Sequence, residues 1–134
     1  MSIADSDLLE LQCRVVTECR RGVASAYCAR EEVRAFLKDL KRFSAELSGE
    51  CRLSMSGAGD GRLIGLRFYP LGRLRRIAIH VRLAEAAGGD HRPEEAPALA
   101  VEVGTEASFL DSFMRELSKV VSSESGTASL GLVP

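Results

Sequence analysis

The clearest pattern along the chain is a stripe of apolar residues between Arg30 and Leu47. These positions recur at intervals of three and four with charged residues between them, which is the spacing of one buried helix face. The sequence therefore predicts an amphipathic helix here, with acidic residues in its first turn and Gly49 as a left-handed residue after its end. The stripe consists of Val33, Phe36, Leu37, Leu40, Phe43 and Leu47.

Apolar and polar residues alternate on both sides of this helix, and that period of two predicts strands. Two such runs precede the helix, and the Arg20-Arg21-Gly22 link between them predicts an antiparallel hairpin. The second run is the weaker one, with Val23 and Tyr27 on one face and alanines on the other. Four further runs follow the helix, with inward-facing sets at Cys51–Met55, Ile64–Phe68, Ile77–Leu83 and Leu99–Val103.

A second apolar stripe predicts a helix from Glu106 to about Ser122, with Thr105 as its N-cap. Segments 1–7 and 123–134 lack a pattern, and we predict disordered tails there. The chain is then a single domain over 1–134 with its core at about 8–122. The fold class is α+β in the order ββαββββα, a six-stranded, mostly antiparallel sheet with two helices packed on one face. The other sheet face is open to solvent or to a partner.

Composition narrows the class of protein without naming a function. A chain of 134 residues with 46% hydrophobic and 28% charged residues is typical of one folded domain. Its net charge of -1 makes neither nucleic acid nor an anionic membrane the default partner. We expect a cytoplasmic protein, because the N-terminal segment lacks the basic residues of a signal peptide. We also expect no membrane-spanning helix, because no segment has the roughly 18 to 20 apolar residues that such a helix needs.

The four cysteines are Cys13, Cys19, Cys28 and Cys51, and they lack C-x-x-C spacing. In a cytosolic chain we interpret them as buried small apolar residues and not as disulfides. Three of them fall in the two neighbouring strands of the hairpin, so an oxidised pair stays open if the protein is exported.

No catalytic, metal or cofactor motif stands out, and we predict a non-enzyme that needs no cofactor. Nucleophilic catalysis requires a base, and the only histidines are His80 and His91. His80 lies between arginines on an outward strand face, which favours a solvent-facing side chain. His91 lies beside Asp90 in the glycine- and proline-containing loop 84–97, where too few nitrogen or sulfur donors are present for a metal site. The glycine-rich segment 57–61 precedes a strand and not a helix, so it is a turn and not a phosphate-binding loop.

The open sheet face is the candidate interaction site, because outward positions of strands three to five carry arginines. Three interpretations remain: a solvated surface, a surface for an acidic protein, and, with Tyr69, an RNA platform. The RNA interpretation is the weakest, because a single tyrosine is a poor stacking surface. Together with two residues of the loop, the candidate partner-binding residues are Arg52, Arg67, Arg76, His80, Arg82, Asp90 and His91.

Three segments of the chain resemble the small bacterial immunity proteins of the WapI type. They are the Phe-x-x-Asp-Leu step at Phe36–Leu40, the Leu-Ser-Gly-Glu-Cys-Arg-Leu exit at Leu47–Leu53, and the Glu-Ala-Ser-Phe-Leu helix start at Glu106–Leu110. The resemblance covers most of residues 9–121. It implies an antitoxin that binds and silences the toxic domain of a contact-dependent toxin without catalysis. The matched positions are core positions, so the resemblance assigns no binding residue.

The leading hypothesis is therefore a protein-binding module, an immunity protein whose partner is a toxin domain. Immunity proteins that cover a basic nuclease site are commonly acidic, whereas the open face here is arginine-rich, so the toxin need not be a nuclease. The alternative is a small-ligand- or RNA-binding domain that uses the same face. A homodimer also stays open, because a free first or sixth strand can pair with a second copy.

Overall fold

The computed structural model describes residues 8–18, 20–56, 62–72, 75–84 and 98–133. Within them the chain forms strands and helices in the order that the hydrophobic pattern predicts. The strands are β1 (Leu8–Val16), β2 (Arg21–Ala29), β3 (Cys51–Ser56), β4 (Leu63–Pro70), β5 (Arg76–Ala84) and β6 (Ala98–Glu106). The helices are α1 (Arg30–Glu46) and α2 (Ala107–Ser123). The predicted loop 84–97 and glycine segment 57–61 lie almost wholly outside the described residues.

Each strand is antiparallel to its neighbours, in the order β1 to β6. β1 and β2 form a hairpin, and β3 to β6 form a four-stranded sheet. A single residue pair, Tyr27 with Ser56, joins the two parts. The α+β fold class is confirmed, but the six strands form one part of two strands and one part of four rather than a continuous sheet.

The hairpin crosses the four-stranded sheet on the face that we call the inner face. β2 meets β3 at one of its ends, whereas at the other end a Cβ on Gly22 would lie 2.7 Å from Leu99 Cδ2 in β6. Since β3 and β6 are opposite edges of the sheet, β2 runs across all four strands. Ala24 and Ala26 are buried on one side of β2, where small side chains permit this close approach, whereas Val23 on the other side of the strand is only half-buried.

The two helices lie antiparallel to each other. Near the end of α1, the Ser44 hydroxyl donates to Asp111 Oδ1 at 3.1 Å, close to the start of α2. At the opposite end of the pair, Arg30 forms an ion pair with Glu124. The apolar stripe of α1 faces the inner side of the sheet, where the rings of Phe36 and Phe68 are 5.9 Å apart.

The core therefore lies between the four-stranded sheet on one side and the helices with the hairpin on the other. The most deeply buried side chains come from both helices, from the two central strands β4 and β5, and in one case from β6. The largest side chains that are fully buried are Phe68, Leu40, Ile64, Ile77, Leu110, Val33, Val121 and Thr105.

Two helix boundaries differ from the sequence analysis. α1 ends in a left-handed residue, but this residue is Leu47 (φ 51°), whose N–H donates to the Phe43 carbonyl oxygen at 2.7 Å; Gly49, at φ 73°, follows two residues later. α2 begins after Glu106, without a side-chain cap. Thr105 is not the N-cap, because β6 continues through it and buries it completely.

The segment 125–133 is also different, since the sequence predicts a disordered tail there. It returns along α2 to the edge of β6, where the Thr105 hydroxyl donates to the Gly131 carbonyl oxygen at 2.6 Å. Further along, the Val133 N–H donates to the Gly104 carbonyl oxygen at 2.8 Å, and Leu130 packs against the core. Isolated apolar residues between glycines show no period, which is why the pattern does not reveal these contacts. No helix in the described part of the chain has the length and apolar character needed to cross a membrane.

Candidate functional site

The face of the four-stranded sheet opposite the helices, which we call the outer face, carries most of the predicted site residues. Because paired residues of antiparallel strands point to the same side, the register places all five predicted strand residues there. The charged residues and the histidine of the outer face are Arg52, Arg67, Arg76, His80, Arg82, Glu102 and Glu106. The remaining two predicted site residues, Asp90 and His91, lie outside the described residues.

Four of these side chains form a row across the sheet. Arg52 of β3 is opposite Arg67 of β4, Arg67 is opposite His80 of β5, and His80 is opposite Glu102 of β6. Arg52, Arg67 and His80 were predictable as site residues from the sequence, because they occupy outward positions of predicted strands. Their alignment in one row depends on the register, which the sequence pattern does not reveal. The row is cationic on β3 and β4 and anionic on β6.

Glu50 organises the cationic end of the row and is not among the residues predicted from the sequence. One carboxylate oxygen accepts from Arg52 Nε at 2.8 Å and Nη2 at 2.7 Å, and the other lies 3.8 Å from Arg67 Nη1. This carboxylate offsets the repulsion that two guanidinium groups in directly opposite positions would otherwise experience. The available signal was an acidic residue directly before a strand whose first outward residue is an arginine.

Arg67 also contacts the only tyrosine on the outer face. Its guanidinium carbon lies 4.9 Å from the centroid of the Tyr69 ring, which is the geometry of a cation–π contact. The guanidinium covers a face of the ring on which a base would otherwise stack. This contact weakens the case for an RNA platform built on Tyr69.

Arg82 and Arg76 are two further exposed cations of the outer face, besides Arg52. Arg82 lies between Gly65 and Ala100 on the neighbouring strands, so no large side chain flanks it, and it is exposed. Arg76 is the first residue of β5, is exposed and lies opposite Glu106 of β6. Neither forms an ion pair with another described residue. These two guanidinium groups are therefore available to carboxylates of another molecule.

The cysteines show the environments of protonated, structural thiols. Cys13, Cys28 and Cys51 are free, and Cys19 lies outside the described residues. Burial, a hydrogen bond to Glu32 and the charge of Glu32 raise the pKa of Cys28 to about 12. The thiol donates to Glu32 Oε2 at 3.4 Å. Burial also raises the pKa of Cys13. At neutral pH these thiols are not nucleophilic thiolates.

A polar recess of about 350 Å³ lies where α1 ends and β3 begins. Cys51 lines this recess, and burial together with Asp39 raises its pKa to about 11, although Arg42 opposes the shift. The recess therefore lacks an activated thiol. Among the described residues, no group of three or more histidine, cysteine, aspartate and glutamate side chains is placed to hold a metal ion.

Comparisons of the chain with protein-family models, with curated proteins and with solved structures find no match.

Proposed function

We propose that the protein is a non-catalytic protein-binding module that docks its outer face on an acidic surface of a partner protein. The supporting observation is the placement of Arg76 and Arg82, which are exposed on a β-sheet face and have no ion pair within the described chain. Arginine is enriched in protein interfaces because its planar fork can bind a carboxylate through two hydrogen bonds. Burial of the opposite face in the core leaves the outer face as the broad polar surface of the sheet.

The charge distribution also restricts how a partner can be oriented. Cations occupy β3 to β5, whereas Glu102 and Glu106 lie on β6. A complementary partner surface therefore carries carboxylates opposite β4 and β5 and tolerates or supplies a cation opposite β6. This polarity favours one orientation of the partner over the reverse one, because the reverse one would place like charges together.

The narrower part of the proposal concerns the partner. The resemblance to WapI-type immunity proteins leads us to propose that the partner is the toxic domain of a contact-dependent bacterial toxin, which the outer face covers and inactivates. The arginines imply a toxin surface that is acidic where the two proteins meet. A partner of this kind would normally be encoded beside the gene for the protein.

The test is co-expression with the toxic domain encoded by the neighbouring gene, together with a binding titration on the purified pair. Reversal of Arg76 and Arg82 to glutamate should weaken binding by about a hundredfold or more, because like charges then face each other across the interface. Protection of growth should be lost to the same extent. The midpoint of thermal unfolding should barely change, since both side chains are exposed.

A matched control changes the net charge equally on another surface. Lys38 and Lys41 are exposed on α1, and reversal of both to glutamate should leave binding and growth protection intact. Equal losses in the two double variants would mean that net charge and not the outer face determines binding. Unchanged binding in the Arg76 and Arg82 variant would refute the outer face as the site.

The alternative of single-stranded RNA binding predicts a different signature. Binding to the four-arginine face would weaken steeply with salt, with a slope of roughly -0.7 per phosphate contacted in a logarithmic plot. We expect no binding of single-stranded RNA at low salt, because Arg67 covers a face of the Tyr69 ring. Tight RNA binding that disappears when Tyr69 is replaced by alanine would favour this alternative over the protein partner.

A further inference from the structure

The two edge strands, β1 and β6, differ in how far their outer backbone groups are covered. On β6, the Ala100 carbonyl oxygen accepts from Arg20 Nη1 at 3.1 Å, and the Gly104 carbonyl oxygen accepts from the N–H of Val133. No strand in the described part of the chain pairs with the outer edge of β1, which runs for nine residues. A long unprotected edge strand is a template for pairing with another chain.

The hairpin register shows which backbone groups of β1 point to this free edge. The Thr17 N–H donates to the Arg20 carbonyl oxygen at 2.7 Å, and the register continues from that pair without a bulge. Hydrogen-bonded and non-hydrogen-bonded pairs alternate along an antiparallel ladder, so the odd-numbered residues from Leu9 to Val15 bond to β2. The even-numbered residues from Leu8 to Val16 therefore direct their N–H and C=O groups outward.

The side chains of β1 are arranged symmetrically about Gln12. Residues at equal distances from it are chemically matched, and the central charged pair consists of Glu10 and Arg14. If two copies of β1 lie antiparallel about a twofold axis at Gln12, Glu10 of each copy is opposite Arg14 of the other. The remaining matched positions are Leu8 with Val16, Leu9 with Val15, and Leu11 with Cys13.

The same arrangement satisfies the backbone. Every even-numbered residue of β1 is then opposite an even-numbered residue of the second copy. In each such pair, the N–H of either residue donates to the C=O of the other. A register shifted by one residue would instead place each even-numbered residue opposite an odd-numbered residue, whose N–H and C=O groups point away toward β2. Backbone geometry therefore requires even-numbered residues to face even-numbered residues, and the side-chain pairs select, among these registers, the one centred on Gln12.

Exposure in the single chain fits this pairing. Glu10 and Arg14 are exposed, and neither forms an ion pair with a described residue. The apolar ends of the strand are also exposed, Leu8 to 42% and Val16 to 55%. On the inner side, Leu11 and Cys13 are only partly buried although they pack against the core. Residues of a second copy would shield these two side chains further from water.

We propose that β1 is a dimerisation strand and that its partner is β1 of a second copy of this chain, paired antiparallel about Gln12. The dimer joins the two hairpins into a four-stranded β-ribbon. It does not use the outer face, so Arg76 and Arg82 of each copy stay accessible. This dimer is independent of the proposed function, because it uses the edge of β1 and not the outer face of the four-stranded sheet.

The test is sedimentation equilibrium of the full chain over a wide concentration range, with circular dichroism to verify folding. The wild-type chain should form dimers reversibly. Glu10→Arg and Arg14→Glu should each weaken dimerisation by about tenfold or more, since each converts two attractive cross-strand pairs into two repulsive ones. An equimolar mixture of the two variants should form heterodimers, because opposite charges then face each other again. The double variant should form dimers like the wild type.

Gln12→Pro provides a second variant that acts through the backbone. The outward N–H of Gln12 forms no hydrogen bond to a described residue, so proline is compatible with this edge position but removes the central hydrogen bonds of the dimer. Glu102→Arg on β6 is the control and should leave dimerisation unchanged. If Gln12→Pro does not fold, the charge variants alone decide.

Three results would overturn the proposal. The first is a wild-type chain that stays monomeric at every concentration, which would leave the β1 edge to a strand of some other protein. The second is a dimer that persists undiminished in Glu10→Arg and Arg14→Glu. The third is a dimer that Glu102→Arg disrupts, because that result would place the interface on β6.

Discussion

Adjacent residues of β5 belong to two different environments. Ile77, Ile79 and Leu83 point to the inner face and are at most 3% exposed, whereas Arg76 and Arg82 point to the outer face and are exposed. These faces alternate along one strand with a rise of about 3.3 Å per residue. The helices and the hairpin shield the inner face from water, whereas the outer face is accessible at Arg76 and Arg82 but not at Ala78, which is 1% exposed. Parity along the strand therefore separates positions that affect stability from candidate recognition positions, except where the outer face is itself covered, as at Ala78.

The largest expected effect comes from truncation of the helix stripe that covers the inner face. Leu40 is 0% exposed and lies in the centre of α1. Leu40→Ala should lower the free energy of unfolding by about 2 to 5 kcal/mol, from lost burial and the cavity left behind. Urea unfolding followed by circular dichroism measures this loss. Lys41→Ala, the exposed neighbour, should change stability little. Similar effects at both positions would break the distinction between the buried and exposed sides of α1.

A smaller effect, which depends on pH, is expected from the buried thiol of the hairpin. The pKa of Cys28 rises from 9.0 to about 12 in the folded chain, so the unfolded chain loses its proton first. The protonated thiol therefore contributes stability that is fully present below pH 9 and is lost as the pH rises toward 12. The slope from one such group is at most about 1.4 kcal/mol per pH unit.

Cys28→Ala isolates this contribution when urea unfolding is measured under reducing conditions between pH 7 and about 11. The variant should be less stable than the wild type at neutral pH, because the buried Sγ is lost. The gap between the two proteins should then narrow above pH 9, since only the wild type has this thiol to titrate. Stability curves that stay parallel over this range would contradict the raised pKa.

The smallest expected effect is on the outer face. Arg82 is exposed between Gly65 and Ala100 and has no ion pair with a described residue. Arg82→Ala should therefore change the free energy of unfolding by less than about 0.5 kcal/mol. Leu83→Ala, one residue away on the inner face, should show a loss comparable to that of Leu40→Ala. A clear destabilisation by Arg82→Ala would indicate that the outer face also contributes to the fold.

The elements themselves were predictable because each is encoded by a short-range period. The stripe of α1 and the alternation of Ile77, Ile79, Val81 and Leu83 specify which side is buried without knowledge of the neighbours. The boundaries were less predictable. The Thr105 hydroxyl is a good N-cap in isolation, but it donates to Gly131, a partner far along the chain, and β6 extends past it.

The candidate site was predictable as a set of residues but not as an arrangement. Outward parity identifies Arg52, Arg67 and His80, whereas their alignment in one row depends on the register between strands. Glu50 was missed because its role is defined only by the two guanidinium groups that it approaches. The contact between Arg67 and Tyr69 involves residues two apart on one strand, a spacing that is common and carries no signal on its own.

By itself, the sequence determined the order of strands and helices and the side of each that is buried, because hydrophobic period is a local property of the chain. The tertiary structure decided that the hairpin crosses the sheet and joins it at a single pair. It also decided that the tail covers the edge of β6, while no strand in the described part of the chain pairs with the outer edge of β1. These outcomes depend on distances between segments remote in sequence, where small residues such as Gly22 and Ala26 permit close packing. A pattern of apolar and polar positions does not contain those distances.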